Sequence, residues 1–150
     1  MPTLLVVHHT VSPPLDEILQ SVLTGARDDA VEGVDVVVRA ALSATASDAL
    51  AADGYLLGTP ANLGYMSGAL KHFFDTIYYP CLEETRGRPY GLWVHGNNDA
   101  TGAVTAVERI ATGLAWEPVS RPLTVTGPVD RRVREAAFEL GGTLAATLAG

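Results

Sequence analysis

Short β-branched apolar runs alternate with helical stripes along the whole chain. Residues 3–8 form a run suited to a strand buried on both faces. Leu15, Ile18, Leu19, Val22 and Leu23 then recur at three-and-four spacing, which predicts a first helix. Residues 34–39 predict a second strand, 44–51 a short helical segment and 55–58 a third strand. Met66, Ala69, Leu70, Phe73, Phe74 and Ile77 make the most regular helical stripe. Residues 90–95 predict a fourth strand, and Val104, Val107, Ala111 and Leu114 line the next helix. A fifth strand is expected near residues 123–125. A last helix follows from about Asp130, with Val133, Ala137, Leu140 and Leu144 on one face.

Five strand–helix units in succession call for an α/β fold, a parallel sheet with helices on both faces. The 150 residues, 47% hydrophobic and 18% charged, suit one domain spanning 1–150 with a sizeable core. No apolar run approaches a bilayer span. The opening MPTLLVVHH lacks a basic region before its apolar run, so it reads as a strand and not as a signal peptide. The net charge of −7 argues against broad binding to nucleic acid or an anionic membrane. Arg131, Arg132 and Arg134 form the one basic cluster and suit the solvated face of a helix. The single cysteine, Cys81, excludes an internal disulfide and a CxxC motif, which points to a reducing cytoplasm.

The chemistry concentrates in residues 53–78, DGYLLGTPANLGYMSGALKHFFDTIY: a buried strand, a Gly/Pro/Asn stretch and an amphipathic helix. Glycine and proline at a strand exit let backbone approach a flat ligand closely. Gly58-Thr59-Pro60, Gly64-Tyr65-Met66 and the K-x-F-x-D run from Lys71 to Asp75 together resemble the second ligand loop of flavodoxin-like flavoproteins, above all the FMN reductase and quinone reductase branch. That resemblance implies a three-layer flavodoxin-like fold with a five-stranded parallel sheet in the order 2-1-3-4-5. It also implies a ligand crevice between the carboxyl ends of strands 1 and 3.

The loop after the first strand, His9-Thr10-Val11-Ser12-Pro13-Pro14-Leu15, stands where a phosphate would meet a helix N-terminus. Thr10 and Ser12 match the first half of the family's T/S-x-T/S-G-x-T pattern, whereas Pro13 and Leu15 replace its Gly and Thr. Pro13 and Pro14 carry no N–H, and Asp16 adds a carboxylate to the first turn. The same residues also suit a plain helix start with Ser12 as N-cap and Pro13 at the first position.

By resemblance, Thr59, Pro60, Ala61, Asn62, Leu63, Gly64 and Tyr65 lie along the isoalloxazine ring, with Asn62 and Tyr65 nearest and Leu63 as an apolar cover. His95, Gly96, Asn97, Asn98 and Gly102 belong to a third loop that contacts the pyrimidine and ribityl groups in this family. Asp99 there suits a helix cap. The four histidines have no metal-ligand spacing. No G-x-x-x-x-G-K-[ST] and no G-x-G-x-x-G after the first strand occurs. The resemblance implies FMN as cofactor, electrons taken from NAD(P)H and passed to a quinone or similar acceptor, and a homo-oligomer. The cofactor carries that chemistry, so no catalytic side chain and no metal site are expected. Two rivals remain: a non-enzymatic electron carrier, and a module of this fold that has lost FMN.

Overall fold

Valine-rich strands with no polar face must be covered twice, and the structure, a computed structural model describing all 150 residues, covers them with two helical layers. The elements run β1 (Thr3–His8), α1 (Pro13–Ala26), β2 (Asp35–Ala40), α2 (Ala46–Ala51), β3 (Gly54–Asn62), β4 (Tyr65–Met66), α3 (Gly68–Cys81), β5 (Pro89–Gly96), α4 (Thr101–Gly113), β6 (Glu117–Pro118), β7 (Leu123–Thr126) and α5 (Arg131–Ala149). The parallel sheet has the order β2-β1-β3-β5, with β6 and β7 both pairing to β5 on its free side. This is the flavodoxin-like order 2-1-3-4-5, its fifth position shared by two short strands. The break between those strands falls at Ser120–Pro122, where Pro122 has no N–H to give a ladder.

Alternation along β1 sends Leu5 and Val7 into the layer formed with α2, α3 and α4, and Leu4 and Val6 into the layer formed with α1 and α5. The latter two helices cross at backbone distance. A Cβ added at Gly25 would lie 1.9 Å from the Phe138 carbonyl oxygen, and one at Gly141 would lie 2.0 Å from that of Val22. At the amino end of the sheet, Trp116 stacks on Tyr55 with ring centroids 3.9 Å apart. Its Nε1 donates to Thr85 Oγ1 (2.8 Å), while Tyr55 OH donates to the Ala49 carbonyl (2.6 Å). Arg88 Nη1 donates to the Leu50 and Ala52 carbonyls at the end of α2. This network pins the end of the molecule opposite the candidate crevice, and burial pushes the Tyr55 hydroxyl up to about 12.

The stretch expected as an irregular loop over residues 59–65 is instead a β-hairpin. The third strand continues through Pro60 to Asn62, turns at Leu63-Gly64 and returns as β4, pairing Asn62 with Tyr65 and Ala61 with Met66. Leu63 and Gly64 both have positive φ (51° and 76°), as a type I′ turn requires. The hairpin also delays α3 to Gly68, so Met66 of the apolar stripe is a strand residue. No helix is long and apolar enough to cross a membrane.

Candidate functional site

The carboxyl ends of β1, β3 and β5 carry the three loops singled out in the sequence, and the backbone ties them together at named points. His9 N–H donates to the Gly58 carbonyl (3.0 Å), fastening the first loop to β3. Pro60 stands opposite His95 in the β3–β5 register. A Cβ at Gly96 would meet the Ala61 Cβ at 3.1 Å, and one at Gly102 would lie 1.9 Å from the Gly64 carbonyl oxygen. The hairpin tip therefore rests on the first turn of α4. The space left by the missing Cβ of Gly102, placed by resemblance in the third ligand loop, is taken by the hairpin itself.

In the first loop, Ser12 is the N-cap of α1 and Pro13 and Pro14 fill its first two positions. Ser12 Oγ accepts the Leu15 N–H at 3.4 Å, and the Ser12 carbonyl accepts the Asp16 N–H at 3.0 Å. Two of the first four helical positions thus have no N–H and the other two are engaged, so the head of α1 has no donor left over. The N–H groups of Thr10, Val11 and Ser12 have no partner within the chain. His8 Nδ1 and Thr10 Oγ1 form a hydrogen bond at 2.8 Å. Burial, then the neighbouring His9, hold the His8 imidazole below its ordinary value, with Asp16 acting in the opposite direction.

The side chains named from sequence divide sharply by exposure. Val11, Asn62, Leu63, Tyr65, Asn97 and Asn98 face solvent around the crevice. Leu15 lies in the α1–α5 core, and the Thr59 side chain is fully enclosed. Thr59 Oγ1 accepts the Ser67 N–H at 3.0 Å, which holds the start of α3 against β3. Pro60 and Gly96 are buried. His95 is also buried, its Nε2 2.7 Å from the Gly127 carbonyl. Asp99 Oδ1 accepts the Thr101 N–H (3.0 Å) and hydroxyl (2.7 Å), closing the third loop onto α4 and holding its carboxyl below the usual carboxylate range. In the K-x-F-x-D run, Lys71 and Asp75 pair at 2.6 Å on the outer face of α3 while Phe73 enters the core. That motif builds the helix that carries the hairpin.

The apolar pattern that predicts a strand over residues 90–95 does not single out Trp93. It is fully buried on β5, directly beside Gly58 in register. A Cβ at Gly58 would fall 2.0 Å from its Cε2 and Cζ2 and 2.5 Å from its Nε1. Trp93 Nε1 and His9 Nδ1 are the two buried side-chain nitrogens without a hydrogen-bond partner; the indole lies against Gly58, and the His9 backbone N–H donates to the Gly58 carbonyl. Only the register, which pairs a glycine with a tryptophan, reveals this. A separate groove of about 570 Å³ between α1 and α5 is lined by polar and charged side chains with one apolar residue, Phe138, and holds neither of these unpaired nitrogens. No cluster of three or more His, Cys, Asp or Glu side chains could hold a metal ion.

No protein-family model matches the chain. It is 32% identical over 106 residues to a flavodoxin of Aquifex aeolicus, a match covering 67% of this chain and 56% of that protein. It is 33% identical over 81 residues to an Arabidopsis thaliana protein described as a probable NAD(P)H dehydrogenase (quinone) FQR1-like 2, covering 50% of this chain and 30% of that one. The matches thus span little more than half of one curated relative and less than a third of the other. A solved flavodoxin from the domain Archaea superimposes with a TM-score of 0.85 over 99% of both chains at 13% identity, a likeness of fold. Kinship in sequence with two such proteins, joined to a strand order shared along the whole chain, makes this chain a member of the flavodoxin-like superfamily.

Proposed function

We propose that the crevice at the carboxyl ends of β1, β3 and β5 binds FMN, and that the protein is an oxidoreductase passing electrons from NAD(P)H to a quinone or similar acceptor. The observation that carries this reading is the row of unpaired N–H groups at Thr10, Val11 and Ser12, with the unpartnered indole N–H of Trp93 against Gly58, to which the same loop is fastened. Successive unpaired N–H groups in a loop suit an anion, and they stand in for the donors that Pro13 and Pro14 lack. The residues present therefore fit a phosphate end. They also fit a planar ring: Tyr65 and Leu63 offer apolar surface, and the Asn62, Asn97 and Asn98 amides offer donors and acceptors at its polar edge.

In this reading the protein's own groups bind and orient. Thr10 and Ser12, through their N–H groups and hydroxyls, hold the phosphate. The hairpin and the third loop, fixed to each other at Gly64 and Gly102, hold the ring in one plane. Bound there, the isoalloxazine supplies the electron transfer, and no side chain need act as acid or base. A second reading, a non-enzymatic electron carrier, is supported by the flavodoxin relative.

The first test is titration of purified protein with FMN and with riboflavin, read by flavin fluorescence. Tight FMN binding with much weaker riboflavin binding supports a phosphate-reading flavin site. Absence of binding to either sinks the proposal. Rapid bleaching by NAD(P)H and reoxidation by quinone then favour the reductase, and no reaction with NAD(P)H favours the carrier.

A further inference from the structure

Trp93 sets an N–H donor in the interior with nothing to accept from it, at the point where β3 meets the first loop. Its side chain is wholly enclosed, and its indole lies across the bare Cα of Gly58. Gly58 stands opposite His8 in register and accepts the N–H of His9. His9 Nδ1 is likewise buried and unpartnered. A buried donor without an acceptor is costly, and the indole N–H, which can only donate, asks for an oxygen partner. The head of α1 offers such a partner no donor of its own. Its first two positions are prolines, and its next two N–H groups are spent on Ser12.

We propose that Trp93 Nε1, together with His9 Nδ1 in the tautomer that carries its proton there, donates to the phosphate of the bound nucleotide, replacing the helix amides that the two prolines remove. This rests on the FMN reading above and adds to it residues outside the loop's own hydroxyls and amides. Trp93 acts as a binding residue that reads the phosphate, and Gly58 is the residue that lets the indole reach across β3. A side chain at Gly58 would occupy the place of the ring.

The test compares Trp93→Phe and His9→Phe with the natural protein in parallel FMN and riboflavin titrations. Phe keeps an aromatic ring and removes the donor. The expected result is FMN affinity lower by roughly tenfold in each variant, the scale of one lost hydrogen bond to a charged group. Riboflavin affinity should change by less than about twofold over the same range. A direct readout on the natural protein guards against a variant that misfolds. In heteronuclear NMR with labelled tryptophan, the Trp93 indole N–H should shift downfield on adding FMN and stay in place with riboflavin, while Trp116 stays in place with both. Equal loss of FMN and riboflavin affinity, or an unmoved Trp93 resonance in an FMN-saturated sample, would overturn the assignment and leave the flavin site standing. Failure of the natural protein to bind any flavin overturns both.

Discussion

Gly102 opens the first turn of α4 to the carbonyl oxygen of Gly64, which lies where a Cβ on residue 102 would be, at 1.9 Å. The atom in the way is backbone, so no rotamer change relieves the clash. The hairpin tip and the third loop are therefore one surface, held by the absence of a side chain.

Gly102→Ala should push the hairpin away from α4 and spoil the plane proposed for the flavin ring. FMN and riboflavin affinities are expected to fall together, by about tenfold, because the phosphate loop is untouched. Fluorescence titration with both ligands checks this. A loss confined to FMN would show that the hairpin does not hold the ring.

The complementary change acts on the phosphate end. Thr10→Val combined with Ser12→Ala should weaken FMN binding by about 1–3 kcal/mol and leave riboflavin nearly unaffected. Ser12 also caps α1, so a stability loss of about 1 kcal/mol is expected without ligand. Denaturant unfolding of the apo-protein separates the two effects. Unchanged FMN affinity would remove the hydroxyls from the phosphate site.

Gly25→Ala tests the α1–α5 crossing. Helix propensity alone favours Ala by about 1 kcal/mol. Here a Cβ meets the Phe138 carbonyl at 1.9 Å, and overpacking against backbone costs about 1–3 kcal/mol. Net destabilisation in urea unfolding is expected, whereas Gly33→Ala, where a Cβ meets nothing, should show only the strain of its positive φ. A stabilised Gly25→Ala protein would contradict the close crossing.

The half-buried imidazole of His8, beside the His9 charge, is held below its ordinary value of 6.5. A depressed native value means that the unfolded chain takes up the proton first as pH falls. Its contribution to stability is thus complete above 6.5 and is lost as pH drops through the lower native value. His8→Gln should flatten that part of the stability–pH curve, measured by urea midpoints on either side of the window. An identical acid slope in both proteins would place the titration elsewhere.

The alternation of strands and helical stripes was legible because each stripe must face a layer. Leu15, Ile18, Leu19, Val22 and Leu23 are all buried on α1, and Phe73, Phe74 and Ile77 on α3. The hairpin was not legible. Its turn has Leu63 at a left-handed position, where glycine or asparagine is usual, so no Asn-Gly signal announced it. Trp93 was invisible as more than core, because an apolar strand does not reveal which residue stands across from its tryptophan.

By itself the sequence determined the α/β class, the element order, the Ser12 helix start and the three loops where polar and small residues gather. Those follow from short-range periodicity and capping, which depend on residues a few positions apart. Only the tertiary structure decided that the third strand turns back on itself, that Gly102 belongs to the hairpin and that Trp93 brings an unpaired nitrogen to Gly58. Each of these depends on strand register and close backbone approach between distant segments. A one-residue slip would send Trp93 to the other face of the sheet, and local composition carries no record of that choice.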